Sequence, residues 1–102
     1  MSAQKDKIKV RLDPDIQDLI PGFLENRKKD VTAIRTALAS GDFTTITVLG
    51  HTMKGDGGGY GFDAISEIGA ILETAGKQKD AEKIRQGLDR LADFLERVEV
   101  VF

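Results

Sequence analysis

The sequence predicts an all-α fold, an antiparallel four-helix bundle with a short extra N-terminal helix. Two observations carry that expectation. Apolar residues recur at steps of three and four through four successive segments, the signature of helices with one buried stripe. The connections between these segments are only a few residues long, which makes neighbouring helices antiparallel. The 102 residues suffice for one modest core. They are read as a single helical domain over residues 1–102, with an N-terminal tail (1–12) and a C-terminal tail (99–102).

The elements follow in order. In the N-terminal tail Ile8, Val10 and Leu12 alternate with Lys9 and Arg11, and at the other end residues 98–102 are β-branched and aromatic. The two tails are expected to pair or pack together, with frayed termini as the alternative. Asp13-Pro14 opens the extra helix, a capping side chain followed by proline at the first helical position. Pro21 should stop or kink it near Ile20. From Gly22 onward Leu24, Arg27, Val31, Ile34 and Leu38 form a one-sided helix that Ser40-Gly41 ends. Asp42 caps the second bundle helix, with Ile46, Leu49, Met53 and Tyr60 toward the core. A third segment opens at Asp63, groups Ile65, Ile68, Ile71 and Leu72, and is expected to stop at Gly76. The last begins near Asp80, and its Ile84, Leu88, Leu91, Leu95 and Val98 make the cleanest stripe in the chain.

Composition removes several function classes. Fifteen Lys and Arg against seventeen Asp and Glu leave a charge of -2, with no basic excess to displace counterions from a nucleic acid. There is no cysteine, so disulfides, Cys-based zinc sites and thiol catalysis are excluded. No apolar run approaches the roughly 20 residues that span a bilayer. Residues 1–12 lack the continuous hydrophobic stretch of a secretory signal. A cytoplasmic protein without a membrane partner is expected, and Met1 with the compact ending leans toward a free-standing one. The single histidine rules out a metal site built from several imidazoles, and no metal or cofactor is expected.

That histidine lies in the unusual stretch at residues 50–62, Gly-His-Thr-Met-Lys-Gly-Asp-Gly-Gly-Gly-Tyr-Gly-Phe, which holds six of the eleven glycines. As helix, the four at positions 55, 57, 58 and 59 cost about 4 kcal/mol relative to alanine, a large part of a small domain's stability. A strand over residues 44–48 leading into a phosphate-cradling glycine loop is the alternative. Residue order speaks against it. A Walker loop needs Gly-Lys followed by Ser or Thr, and here Lys54 precedes the glycines. No βαβ unit supports a dinucleotide fingerprint either.

Helical geometry is more coherent. At roughly 100° per residue, Lys54 and Gly55 lie one turn after His51 on the same face, and Gly58 two turns after it. Thr44, Thr47 and Val48 extend that face toward the N-terminus. Leu49, Met53 and Tyr60 fall opposite, so His51 faces water beside a long cation and a surface stripped of side chains. A neutral imidazole nitrogen is a competent nucleophile near neutral pH. It can attack an activated phosphoryl group and become a phosphoramidate, with Lys54 offsetting the arriving charge. Carboxylates enough to hold magnesium are missing from the face, so metal and in-line geometry would come from a partner. A histidine with a lysine one turn away is equally the pattern of an ordinary solvated helix face, and the residues alone leave both readings open.

The stretch resembles the histidine-containing phosphotransfer (HPt) domain of two-component phosphorelays. The family pattern is a helical His-x-x-Lys-Gly with small residues after it, here His51, Lys54, Gly55 and Gly58, and Gly61-Phe62 matches the usual end. The resemblance covers nearly the whole chain and implies a four-helix bundle with a short leading helix. It implies that His51 accepts a phosphoryl group from a receiver-domain aspartate and returns it to another, without autonomous kinase activity. By the same resemblance Lys54 stabilises the phosphoryl group, and Gly55 and Gly58 permit docking. With Thr47 and Val48 on the same face, these two make the expected docking surface. The implied partners are receiver domains of hybrid histidine kinases and response regulators, met by a monomer. They would dock over the second bundle helix and the one before it, residues 22–39. A non-catalytic adaptor that docks a protein through the glycine-rich face is the alternative function. Asp56 departs from the pattern, which usually has Ser or Ala there. It lies about 140° from His51, toward the core side, and is expected to find a donor or stay partly exposed.

Overall fold

A computed structural model describes residues 6–102; the first five residues of the N-terminal tail lie outside them. The chain forms β1 (Ile8–Arg11), a 3-10 helix (Pro14–Leu19), α1 (Ile20–Ala39), α2 (Phe43–Tyr60), α3 (Asp63–Lys77), α4 (Ala81–Arg97) and β2 (Val98–Val101). The helices pack in a ring in which α1 touches α2 and α4, and α3 touches α2 and α4. This is the expected all-α bundle.

Local chemistry sets most of the boundaries. The carboxylates of Asp42 and Asp80 accept from the backbone N–H groups of Thr45 (3.0 Å) and Lys83 (3.1 Å), satisfying otherwise orphaned donors at the starts of α2 and α4. Asp13 caps the 3-10 helix through Asp15 N at 2.8 Å. That helix runs straight into α1, so Pro21 breaks nothing: it lies in the first turn of α1, where its missing N–H has no partner to lose. At the end of α2, Gly61 takes the left-handed conformation (φ 89°), and Phe62 N returns to Gly57 O at 2.8 Å. A Cβ on Gly61 would also meet Leu12 Cδ2 at 2.8 Å.

The strand alternative for residues 44–48 is overturned: they are helical, and the helix continues through all the glycines to Tyr60. Gly76 does not stop α3; the helix runs past it to Lys77 and turns at Lys79 (φ 54°). Val98 belongs to β2 and not to the last helix.

The tails do pair. β1 and β2 form a parallel two-stranded sheet with Ile8 opposite Val98 and Arg11 opposite Val101, extended by Leu12 N donating to Val101 O at 2.9 Å. Ile8, Val10, Val98 and Val100 turn onto the core, which explains the alternation in the first tail. The core is built on fully buried Ile34, Ile46, Ile65, Leu72, Ile84 and Leu91. At the β-sheet end Phe62 stacks on Phe23 and meets Phe94 edge-on, while Phe23 stacks on Tyr60 at 4.4 Å. Among the described residues, no helix is long and apolar enough to cross a membrane.

Candidate functional site

The site begins with how closely α2 approaches α3. A Cβ on Gly50 would lie 2.5 Å from Glu73 N and 2.9 Å from Gly69 O; one on Gly57 would lie 2.6 Å from Ser66 N; one on Gly76 would meet Thr47 Oγ1 at 2.5 Å; and one on Gly69 would strike Lys54 N. These contacts share one antiparallel register in which Thr47, Gly50, Lys54 and Gly57 face Gly76, Glu73, Gly69 and Ser66. Backbone meets backbone along the seam, and Ser66 Oγ donates to Lys54 O at 2.7 Å to fasten it. The helical cost of Gly57 is therefore offset by packing that no larger residue permits. Gly55 and Gly59 have nothing within 4 Å of a Cβ, and Gly58 only Ser66 Oγ at 3.8 Å.

The same register sets His51 beside Glu73. The close seam lets a glutamate reach across, and His51 Nδ1 lies 2.9 Å from Glu73 Oε2. An ionised carboxylate only accepts, so Nδ1 carries the hydrogen, and in the neutral imidazole Nε2 keeps a free lone pair. The His51 side chain is 69% exposed. Lys54 Nζ sits 2.8 Å from Glu73 Oε1, and Lys77 Nζ is 3.7 Å from Oε2. Lys54 and then His51, as hydrogen-bond donors, hold the Glu73 carboxyl at about 2, well below its ordinary 4.5, although partial desolvation pushes the other way.

Glu73 is not among the site residues expected from the sequence. A signal was present: it stands four residues after Gly69 and three before Gly76, on the stripe of α3 that carries small residues, and it belongs to the buried positions of that helix. A carboxylate there must meet cations or fail to ionise.

The remaining expected residues divide. Val48 is 57% exposed, and Gly55 and Gly58 are bare, so these three lie with His51 on the open face of α2. Thr47 is half-buried against Gly76, its hydroxyl donating to Phe43 O at 2.8 Å, and lies at the edge of that face. Lys54 is half-exposed, its ammonium drawn to Glu73 rather than standing free. Asp56 is partly exposed, as one of the two expected outcomes has it: its side chain is 49% exposed and forms only a loose ion pair with Arg27 Nη1 at 3.5 Å, without a hydrogen bond.

Arg27 is the unexpected member of the α1 stripe. Its side chain is buried over the Phe23 ring, 4.8 Å from the centroid, and Nε lies 2.9 Å from Asp30 Oδ2, close but out of line for a hydrogen bond. Burial pushes the Asp30 carboxyl up, and Arg27 opposes the shift. Among the described residues no group of three or more His, Asp or Glu converges as a metal ion would need. The chemistry available is that of one oriented imidazole with a free nitrogen, beside an ammonium, on a convex surface thinned by glycines. A family model described as Hpt domain matches residues 18–100. No curated protein and no solved structure matches the chain.

Proposed function

The chain belongs to the Hpt-domain family, and on that premise we propose that His51 carries a phosphoryl group between aspartates of receiver domains in a phosphorelay. One observation carries the assignment to atoms: the Nδ1 contact to Glu73 at 2.9 Å in a histidine otherwise open to solvent. That hydrogen bond fixes both the tautomer and the ring direction, leaving Nε2 as the nucleophile.

The Nε2 lone pair attacks the phosphorus of an aspartyl phosphate on the docked receiver. A P–N bond forms, the P–O bond to the aspartate breaks, and the aspartate leaves as a carboxylate. The imidazole becomes cationic as it does so, and Glu73, ionised at any physiological pH, stabilises that charge through Nδ1–H. Lys54 keeps one donor on Glu73 and has two more for the phosphoryl oxygens. Return transfer to a second receiver is the same path reversed. The bare backbone at Gly55 and Gly58, with exposed Val48 and the edge at Thr47, is the surface on which the receiver lies. Any divalent cation in the reaction arrives in the receiver's own site. The same reading takes residues 1–102 as one domain acting as a cytoplasmic monomer, with transfer dependent on the partner.

The test is incubation with receiver domains phosphorylated by acetyl phosphate, followed by detection of protein-bound phosphate that is labile in acid and stable in alkali. His51→Gln with unchanged helicity is expected to carry none. Equal labelling of that variant would refute the assignment.

A further inference from the structure

We propose that Asp56 determines partner specificity: its carboxylate selects receivers that set a lysine or arginine against the seam between α1 and α2. The inference rests on His51 as the phosphoryl carrier and names the chemistry of the surface that docks on it. From position 55 to 59 the chain reads Gly-Asp-Gly-Gly-Gly, so Asp56 bears the one side chain in five successive residues. Gly55 and Gly59 beside it are open, with nothing within 4 Å of a Cβ, while Gly57 is buried against α3. Helix geometry puts the Cα atoms of His51 and Asp56 about 9 Å apart. A standard interface covers about 800 Å² on each partner, a patch roughly 16 Å in radius. Asp56 lies about 140° round α2 from His51, on the flank that meets α1 through Arg27, so a receiver centred on His51 reaches its exposed half only at the rim, where the interface wraps past Gly59 toward α1.

Asp56 is only loosely engaged within the protein. Its side chain is 49% exposed, and Oδ2 approaches Arg27 Nη1 no nearer than 3.5 Å. Arg27 is closer to Asp30, at 2.9 Å. Within this cluster one guanidinium stands against two carboxylates, an excess of one negative charge. On the other flank of α2, Lys54 and Lys77 against Glu73 leave the site net positive. Opposite charges thus lie on the two sides of the His51 face. A receiver that brings its phosphoaspartate to His51 finds the positive flank at the phosphoryl group and the negative one at its rim. A cation at that rim orients the complex, and an acidic residue there is repelled.

The experiment measures affinity and transfer for the source organism's receiver domains at 50 and 300 mM salt, using wild type, Asp56→Asn, Asp56→Glu and Asp56→Lys. His51→Gln serves as a binding control without transfer. At low salt Asp56→Asn is expected to bind about three- to tenfold more weakly, and Asp56→Lys more weakly still. Asp56→Glu should restore binding, high salt should narrow the differences, and reversal of the receiver's rim cation to Glu should rescue Asp56→Lys. The charge-keeping Glu variant and far-UV circular dichroism separate this from a folding defect. Binding of Asp56→Asn within twofold of wild type at 50 mM salt, while His51 is still phosphorylated, would overturn the proposal and leave the carrier standing. Failure of every receiver to phosphorylate His51 would overturn the carrier reading and this inference with it.

Discussion

The glycines of α2 should respond to alanine in opposite directions, although they sit in one helix within ten residues of each other. An exposed helical Gly→Ala substitution gains about 1 kcal/mol from reduced backbone entropy. Gly55 and Gly59 meet that condition, since a Cβ at either would touch nothing within 4 Å. In a domain of this size each gain should raise Tm by about 4–8 °C. At Gly50 the new methyl would lie 2.5 Å from Glu73 N and 2.9 Å from Gly69 O. Those atoms are backbone and cannot rotate away, so α2 and α3 must separate. Overpacking at the upper end of its range, about 3 kcal/mol, outweighs the propensity gain and leaves Gly50→Ala about 2 kcal/mol less stable. Thermal melts followed at 222 nm, with urea titrations, measure both signs. Transfer rates complete the test: Gly55→Ala should be more stable yet several-fold slower with a receiver, because the methyl stands on the proposed docking face. A Gly50→Ala protein as stable as wild type would refute the close α2–α3 register, and a destabilised Gly55→Ala would refute its openness.

Other outcomes follow from the same contacts. Glu73→Ala should slow phosphotransfer by roughly tenfold to a hundredfold, the worth of a hydrogen bond to a charged group, with Glu73→Gln between it and wild type. Because the folded pKa of Glu73 is about 2 against an ordinary 4.5, the unfolded chain binds the extra proton. Its stabilising contribution is complete above that ordinary value and is lost as pH falls toward 2. Urea midpoints across this window should fall less steeply in Glu73→Gln than in wild type, and parallel curves would contradict the assignment. Val100→Asp, which puts a charge on the inward face of β2, should destabilise the fold by about 1–2 kcal/mol. An unchanged urea midpoint would show that the paired tails add nothing to the core.

The helices were legible because their signals are local. The stripe from Ile84 to Leu95, the caps at Asp42 and Asp80, and the alternation of Ile8, Val10 and Leu12 each lie within a few residues of the element they specify. His51 and Lys54 were legible for the same reason, being one turn apart. Glu73 was not, because it meets His51 across 22 positions of sequence and only through a helix pairing that single-chain periodicity does not reveal. The glycines misled in a related way. All four at positions 55, 57, 58 and 59 looked like one feature, yet Gly57 serves the seam with α3 and the other three serve the surface. Gly76 read as a stop because its close contact with Thr47 belongs to another helix. Pro21 read as a break because the preceding 3-10 helix makes its position the first turn of a longer one.

In the proposed mechanism Glu73 holds His51 Nδ1–H and leaves Nε2 to take the phosphoryl group. The most direct measurement is ³¹P and ¹⁵N NMR of the protein labelled at histidine, after phosphorylation by a cognate receiver. One phosphohistidine is expected, at position 51, with phosphorus bonded to Nε2 and a proton retained on Nδ1. Phosphorus on Nδ1, or no phosphohistidine from a receiver that binds, would contradict it.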